Sequence, residues 1–311
     1  MGTPQFAVSP LEKMIQEGFK PVAVITAPDK PAGRGLQIKP SPVKEKALEH
    51  GIPVLQPSNL KDPDFLEQLR KLKPDLQFVV AFRMLPEAVW NLPALGTYNL
   101  HASLLPQYRG AAPIQHAVIQ GEPFTGLTTF KLQHEIDTGA IAYQVKLEIG
   151  ENETSGELHD RMLMPGSDLV VKTIRAIENG SIRLTEQNIH AGDHPLKVAP
   201  KLNPEFCRLN FNEPAMQVHN KIRGLSPFPG AVAILNSPGK TQSFKLLRSK
   251  ISSIPGTGKP GEIQLEGRAH IYVSCTDTCL EITELQPSGK GRMSAMQFLN
   301  GFRAENPGFF T

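Results

Sequence analysis

The fold of this chain is decided by a short stretch in which polar residues alternate with Tyr98 and Leu100, Gly96-Thr97-Tyr98-Asn99-Leu100-His101. Its β-branched and aromatic residues predict a strand. Apolar runs at residues 21–26 and 75–81 predict two more strands, and residues 62–72 between them carry apolar side chains at helical spacing. Strands that alternate with helices predict an α/β fold with a Rossmann-like, mostly parallel sheet. Such sheets place chemistry at the carboxyl ends of their strands, where Asn99 and His101 lie.

The sequence changes character after Arg183. Residues 190–196 are polar, contain glycine and proline and lack periodicity, which is typical of a linker. Beyond them come short strand-like runs with glycine and proline turns, at residues 231–235, 243–247, 270–275 and 280–285. This pattern predicts a small OB-like β-barrel. We therefore expect a catalytic domain at residues 1–182, a linker at 183–201 and a barrel domain at 202–311.

The composition excludes several classes of protein. The chain has 311 residues, 40 % hydrophobic and 20 % charged, which is typical of a soluble globular protein with two domains. No run approaches the ~20 apolar residues of a membrane span, and the start lacks the pattern of a secretory signal. Three cysteines give no disulfide framework and are typical of a reducing compartment. We expect a cytoplasmic monomer with no membrane partner.

Charge is divided unevenly along the chain, whose formal net charge is +3. From Lys197 to the end there are 14 Lys and Arg against 8 Asp and Glu, a net charge of +6. The first 196 residues contain 19 Lys and Arg against 22 Asp and Glu, a net charge of −3. A basic second half is typical of a protein that binds a polyanion, although an ordinary solvated surface gives the same count.

Three polar residues are the candidates for catalysis. Alternation along the strand places Asn99 and His101 on one face. An amide can donate to an oxygen that becomes negative, and an imidazole can donate or move a proton. Asp137, in a polar segment further on, would fix the tautomer of His101 and favour its cationic form. The set predicts acyl transfer without a protein nucleophile, although Asn-x-His is common and Asp137 could simply form a turn.

Several longer motifs resemble those of the methionyl-tRNA formyltransferase family. They are Asn99 to Ile114, Gly2-Thr3-Pro4-x-Phe6-Ala7, Pro31-Ala32-Gly33-Arg34-Gly35, Ile136-Asp137-Thr138-Gly139, Leu225-Ser226-Pro227-Phe228-Pro229-Gly230-Ala231 and Lys290-Gly291-Arg292-Met293-Ser294-Ala295-x-x-Phe298-Leu299-Asn300-Gly301. The resemblance covers essentially the whole chain. It implies the formyltransferase fold, a 10-formyltetrahydrofolate donor and the methionine amine of charged initiator tRNA as acceptor, in translation initiation and without a metal.

The resemblance also implies a mechanism. The uncharged amine would attack the formyl carbon while Asn99 and His101 stabilise the oxygen that becomes negative. Asp137 would hold and charge His101. The proton would then reach the departing folate nitrogen through His101 or through a water held by Asp137, and the sequence leaves both routes open.

By similarity, the folate donor is expected near three short segments. Their residues are Phe82, Arg83, Met84, Leu85, Ser103, Leu104, Leu105, Pro106, Glu135, Ile136 and Thr138. A flat heterocycle with many donors and acceptors suits main-chain recognition in an apolar slot. Taken singly, Met84 and Leu85 could equally be ordinary core residues.

The tRNA is expected at a loop rich in cations, residues 29–44. It contains Lys30, Arg34, Lys39 and Lys44, which can contact phosphates. Arg34 aligns with the arginine by which the resembled family discriminates its initiator tRNA, and the barrel would add contacts that do not depend on sequence. Lys39 and Lys44 taken singly could belong to a solvated loop.

Two other functions remain open. One is a different formyl-tetrahydrofolate enzyme, acting on an amino sugar, a purine precursor or water; the arginine loop and the basic second half favour tRNA instead. The other is a catalytically silent RNA-binding protein, against which the complete set of Asn99, His101 and Asp137 argues. A metal site at Cys275, Cys279 and His270 would lack a fourth ligand.

The chain departs from the resembled family at its start. Members carry a β-strand directly before the Met-Gly-Thr-Pro turn, whereas this sequence begins at that Met1. In a parallel sheet such a strand lies centrally, and its absence would expose neighbouring strand edges. We expect a truncated or misassigned start that lowers stability and leaves the candidate site residues present.

Overall fold

The computed structural model describes residues 1–32, 37–188, 195–237, 240–256, 258–302 and 308–311. The chain forms two compact units whose segments alternate in sequence. The first consists of Met1–Gly110, Thr125–Leu147 and His159–Val198, and the second of Ala111–Phe124, Glu148–Leu158 and Ala199–Thr311. The domain boundaries expected from sequence, 1–182, 183–201 and 202–311, stay a prediction.

Short strands and helices alternate up to residue 178. The strands are β1 (Val24–Ile25), β2 (Lys30–Ala32), β3 (Gln37–Lys39), β4 (Val54–Leu55), β5 (Gln77–Val80), β6 (Thr97–His101), β7 (Arg109–Gly110), β8 (Phe124–Lys131) and β9 (Ile141–Glu148). The helices are α1 (Val8–Gln16), α2 (Pro42–Glu49), α3 (Pro63–Lys71), α4 (Glu87–Trp90), α5 (Pro113–Ile119) and α6 (Ser155–Glu178).

The expected helix at residues 62–72 shows how local sequence produces these elements. The side chain of Asp62 caps α3 by accepting the N–H of Asp64 at 2.8 Å, and Pro63 occupies the first turn. Phe65 and Leu69, one turn apart, are buried on the face of α3 that packs into the core. Capping and periodicity therefore agree on where this helix begins and which side it buries.

The sheet of the first unit is mixed, whereas the sequence predicted a mostly parallel one. β5 pairs with β6 in parallel, from Gln77–Thr97 to Val80–Leu100. β6 then pairs with β8 in antiparallel fashion, and β9 follows at the edge. β1 and β4 form a separate parallel pair. The α/β class is as expected, and the difference lies in the direction of β8 and β9.

The first two residues lie between β1 and β5. The amino group of Met1 donates to Phe78 O at 2.6 Å, and Val80 N donates to Met1 O at 2.9 Å. Gly2 N donates to Ile25 O at 3.0 Å. Met1 and Gly2 therefore join the β1–β4 pair to the four-stranded sheet through backbone hydrogen bonds.

The second unit is built on an antiparallel sheet. Its elements are α7 (Ala215–Leu225), β11 (Ala231–Ser237), β12 (Lys240–Pro255), β13 (Ile263–Glu266), β14 (His270–Ser274), β15 (Thr278–Pro287), β16 (Met293–Ser294), α8 (Ala295–Gly301) and β17 (Phe309–Phe310), and β10 (Val198–Ala199) comes before them. The strand order is β13-β14-β15-β12-β11-β17, with β16 beside β15. Phe310 N donates to Gly261 O at 2.7 Å, so β17 also bonds to the segment that leads into β13.

The interior of this sheet forms its own hydrophobic core. Phe244, Leu246 and Leu280 are almost completely buried in it, and Phe310 packs edge-on against Phe244.

Cys275 and Cys279 are free and buried, and burial raises the pKa of the Cys275 thiol to about 12. They are core thiols, and the described residues include no cluster of three or more potential metal ligands. Among the described residues no helix is both long and apolar enough to cross a membrane.

Candidate active site

Strand β6 carries the first two candidate residues in the interior of the mixed sheet. It lies between β5 and β8, with Asn99 opposite Phe130 and His101 opposite Thr128. Because side chains alternate along a strand, Asn99 and His101 share one face. Asn99 is partly buried, and the side chain of His101 is only 7 % exposed. The pairing on both sides gives these residues a fixed backbone.

His101 is held at both ring nitrogens. Nε2 lies 2.9 Å from Tyr108 O, and because a carbonyl can only accept, Nε2 carries a proton and donates it. Nδ1 faces Asp137, 3.8 Å from its Oδ2. That separation is too long for a direct hydrogen bond but suits an ion pair. The structure thus brings His101 and Asp137 together, as the sequence predicted.

Asp137 lies on the loop between β8 and β9 and has a left-handed backbone, with φ 54°. Its Oδ2 accepts the Gly110 N–H at 2.9 Å. The Gln187 side chain donates to the backbone carbonyls of Asp137 and Gly139, both at 2.9 Å. At Gly139 a Cβ would lie 1.7 Å from Lys131 O, so the turn requires glycine. Backbone conformation, Gly110 and Gln187 together fix the direction of the carboxylate.

Four residues that support the site were not identified from sequence. Tyr108 and Gly110 provide the backbone groups that bond to His101 and Asp137. The hydroxyl of Thr128, fully buried beside His101, donates to Ser103 O at 2.7 Å and accepts from Leu105 N. Gln187 falls in the segment expected to be a linker. Tyr108 and Gly110 belong to the motif that begins at Asn99, but Gln187 is far from it in sequence and carries no local signal.

The expected folate residues occupy two kinds of environment. Leu85 packs into the core, and the buried Ser103 hydroxyl donates to Gln107 O at 2.6 Å. Arg83 donates to the carbonyls of Pro57 and Ser58, so it braces a neighbouring loop. Met84 and Ile136 are exposed by 71 % and 58 %, respectively. An apolar side chain that faces solvent is available to a flat ligand, whereas a core side chain is not. The assignment of these positions to folate stays a prediction.

The remaining expected folate positions divide in the same way. Phe82 packs against the core cluster that contains Leu85, and Leu105 is buried. Leu104 and Pro106 are partly exposed. Glu135 is exposed and accepts the Thr138 hydroxyl on its carbonyl at 3.1 Å. These positions surround the strand ends and the Asp137 loop but are not equally accessible.

The expected tRNA-binding cations differ in their partners. Lys30 and Lys39 are exposed and lie directly opposite each other on the hairpin of β2 and β3. Lys44 is ion-paired with Asp29 at 2.5 Å, and this hydrogen bond lowers the pKa of the Asp29 carboxyl below its ordinary value. Arg34 lies outside the described residues. Two like charges facing each other are unfavourable alone and favourable beside an anion.

Two family models match this chain. The formyl transferase family model matches residues 1–174, and the formyl transferase C-terminal domain model matches residues 201–303. A methionyl-tRNA formyltransferase of Bacteroides fragilis is 47 % identical over 303 residues, which cover 97 % of this chain and 94 % of that protein. One of Flavobacterium johnsoniae is 44 % identical over equal shares.

A solved structure supports the fold at lower identity. WlaRD, a sugar 3N-formyl transferase crystallised with dTDP and 5-N-formyl-THF, is 19 % identical with a TM-score of 0.64, covering 93 % of this chain and 97 % of its own. Identity this low supports the fold alone. The two family models and the relatives at 44–47 % identity show that the chain belongs to the formyl transferase family, among the methionyl-tRNA formyltransferases.

Proposed function

We propose that this chain transfers a formyl group from 10-formyltetrahydrofolate to the amino group of methionyl initiator tRNA, for translation initiation. The observation that carries the proposal is the buried His101–Asp137 pair beside Asn99, in a chain whose relatives at 44–47 % identity are methionyl-tRNA formyltransferases. The enzyme acts as a cytoplasmic monomer and uses no metal. The folate supplies the formyl group.

The chemistry needs an uncharged amine and a polarised formyl carbonyl. The amine nitrogen bonds to the formyl carbon, the bond from that carbon to the folate nitrogen breaks, and one proton moves from the amine to the folate nitrogen. The Asn99 amide donates to the carbonyl oxygen as it gains negative charge. Protonated His101 adds a positive charge beside that oxygen, and Asp137 balances the charge on the ring.

The positions of the ring nitrogens favour one of the two proton routes. His101 Nε2 donates to Tyr108 O and Nδ1 faces Asp137, so both nitrogens already face protein groups. A proton relay through Nε2 would have to break the bond to Tyr108, and a relay through Nδ1 would remove the ring proton that faces Asp137. A water held by Asp137 needs no such change. We therefore assign proton transfer to that water and charge stabilisation to His101.

The substrates are divided between two domains, with boundaries at 1–182, 183–201 and 202–311. The first domain binds the folate near Met84, Ile136 and the backbone that surrounds them. The second is an OB-like barrel that binds the tRNA without reading its sequence. Its strand order, the bonds between β17 and the segment before β13, and the net charge of +6 from Lys197 onward support this role. Lys30, Lys39 and Arg34 contact the acceptor end.

A formylation assay tests the proposal. Purified chain, 10-formyltetrahydrofolate and methionyl initiator tRNA are expected to yield formylmethionyl-tRNA, while methionyl elongator tRNA is used poorly. A dTDP-linked amino sugar serves as a competing acceptor. Absence of transfer to tRNA, or faster transfer to the amino sugar, would reject the assignment. Binding of tRNA without transfer would instead favour a catalytically silent RNA-binding protein.

A further inference from the structure

Strand β9 carries a glutamine, Gln144, whose side-chain amide bonds to two groups of the catalytic unit. Its Nε2 donates to Leu105 O at 2.9 Å and to the Thr128 hydroxyl at 3.0 Å. Because a backbone carbonyl can only accept, the nitrogen of the amide must face Leu105, and both amide hydrogens are used. Gln144 is exposed as a whole, but its donor end is directed into the protein.

The sheet places this contact on the face that carries His101. Thr128 of β8 lies directly opposite His101 of β6. Residues paired in this way extend their side chains to the same face, with Cβ atoms about 4.5–5.5 Å apart. In the strand order β6-β8-β9, Gln144 follows as the next strand's contribution, and its amide reaches the Thr128 hydroxyl. Gln144 is therefore separated from His101 by one strand and one buried hydroxyl.

The Thr128 hydroxyl uses its full hydrogen-bonding capacity. It donates to Ser103 O at 2.7 Å and accepts from Leu105 N at 3.2 Å and from Gln144 Nε2. A hydroxyl has one hydrogen and two lone pairs, so all three are occupied. Leu105 is bonded at both backbone groups, since Thr128 accepts its N–H and Gln144 donates to its carbonyl. Two neighbouring strands thus hold the buried Leu105 in place.

The loop between β6 and β7 leads from these contacts to the carbonyl that orients His101. Ser103, whose carbonyl is held by Thr128, donates from its own hydroxyl to Gln107 O at 2.6 Å. The next residue, Tyr108, has a left-handed backbone with φ 60°, and its carbonyl accepts His101 Nε2 at 2.9 Å. The direction of the His101 ring therefore depends on how firmly this loop is held.

We propose that Gln144 is a positioning residue for formyl transfer, which fixes the loop between β6 and β7 from β9 and so sets the direction of the His101 ring. The inference rests on the proposed function, because it assigns a role in the same reaction. Gln144 is the only hydrogen-bond donor to Leu105 O among the described residues. Its loss leaves that carbonyl unpaired and frees one lone pair of Thr128, so the loop gains freedom.

The test compares substitutions in the full chain. Gln144→Met keeps the length of the side chain and removes both donors, whereas Gln144→Lys keeps a donor that can reach Leu105 O. Gln144→Glu has the shape of glutamine and, when ionised, no donor, so it repeats the test if the methionine variant folds poorly. Gln68→Met is the matched control, because Gln68 is an exposed residue of α3.

The first readout is the exchange of the His101 Nε2 proton with water, followed by NMR on protein that contains isotope-labelled histidine. The signal is assigned by its loss in His101→Gln. We expect exchange to become at least tenfold faster in Gln144→Met, and to stay near the rate of the unsubstituted chain in Gln144→Lys and Gln68→Met.

The second readout is formylation. A small displacement of a catalytic group lowers the rate without weakening ground-state binding. We therefore expect kcat to fall about tenfold in Gln144→Met, with KM for folate and for tRNA unchanged. Gln144→Lys should recover most of that loss, and Gln68→Met should show none.

Three results would overturn the proposal. One is unchanged exchange of the His101 Nε2 proton in folded Gln144→Met, whatever happens to turnover. Another is equally fast exchange in Gln144→Met and Gln144→Lys, which would assign the effect to packing and not to donation. The third is a rise in KM for folate at unchanged kcat, which would make Gln144 a binding residue. Exchange needs no substrate, so absence of transfer by the unsubstituted chain would reject the proposed function alone.

Discussion

The two edges of strand β5 differ in how they are paired. On one edge it bonds to β6 over four consecutive registers, and β6 carries Asn99 and His101. On the other edge Met1 bonds to Phe78 and Val80, and a cavity of about 590 Å³ with mostly apolar walls adjoins the strand. The chemical groups thus lie on the fully paired side. Activity and stability are therefore expected to respond to different substitutions.

The largest effect is expected at the His101–Asp137 pair. His101→Gln removes the charge that stabilises the formyl oxygen but keeps a side-chain amide near Tyr108 O. We expect turnover to fall about 10²–10⁴-fold, the range typical of acid–base groups. Asp137→Asn should lower it within the same range, because asparagine tolerates the left-handed backbone at φ 54° and only the charge is lost. Single-turnover formylation measures both.

Asp137→Ala is the informative contrast. Alanine adds strain of about 1–2 kcal/mol at a left-handed position, so this variant should lose stability as well as turnover. The asparagine variant should keep its Tm within a few degrees. A loss of turnover below threefold in Asp137→Asn would remove the carboxylate charge from the mechanism.

On the other edge, in a polypeptide that begins at Met1, the amine of Met1 should make stability depend on pH. Burial lowers its pKa from 8.0 to about 5, so between these values the folded chain keeps the amine neutral while the unfolded chain protonates it. The unfolded state then binds more protons, and the free energy of unfolding falls as pH drops from 8 to 5. Three pH units at 1.36 kcal/mol each give a loss of about 4 kcal/mol, measurable by denaturant unfolding.

N-terminal acetylation is the matched control. The acetylated nitrogen still donates to Phe78 O but does not titrate, so the loss between pH 8 and 5 should shrink by the contribution of the amine. Turnover at pH 7.5 should stay within about twofold, because the change is on the edge of β5 away from His101. Identical pH profiles for the two forms would show that Met1 titrates alike in the folded and unfolded states.

Local sequence was enough to predict part of the geometry of the candidate site. Alternation in residues 96–101 placed Asn99 and His101 on one face, and apolar spacing at residues 62–72 located α3. The direction of β8 was not predictable in this way, because parallel and antiparallel strands have the same local pattern. It is seen only in the folded sheet, where β8 pairs antiparallel with β6 and the loop from β8 to β9 contains Asp137.

Long-range support was not predictable from local patterns. Gln187 bonds to Asp137 across 50 residues of sequence and lies in a polar segment that looks like a linker. The resemblance predicted an exposed strand edge. It did not predict that the Met1 amine donates a hydrogen bond to Phe78 O. Such contacts form only in the folded sheet and leave no local pattern in the sequence.

A smaller effect is expected for Gln187→Ala on the catalytic side. It removes two hydrogen bonds to the Asp137 loop and the two that Arg109 donates to Gln187 Oε1, whereas no hydrogen bond joins Gln187 to Asn99 or His101 among the described residues. A small displacement of a catalytic group lowers the rate without weakening ground-state binding, so we expect kcat to fall about tenfold with KM for folate unchanged. Glu186→Gln, at the exposed neighbouring position, should leave both constants unchanged. A rise in KM alone would indicate a binding role for Gln187.

The smallest effect is expected at the hairpin of β2 and β3, where substitutions test whether its lysines contribute to tRNA binding. The hairpin of β2 and β3 follows β1 and presents Lys30 and Lys39 opposite each other. Replacing both with alanine should raise KM for tRNA a few-fold, leave KM for folate unchanged and reduce the salt dependence of tRNA binding by about two counterions. Lys71→Ala, another exposed lysine of the first unit, is the control. If Lys71→Ala changes the salt dependence as much as the double variant does, the hairpin contributes only general charge and the functional contacts lie elsewhere.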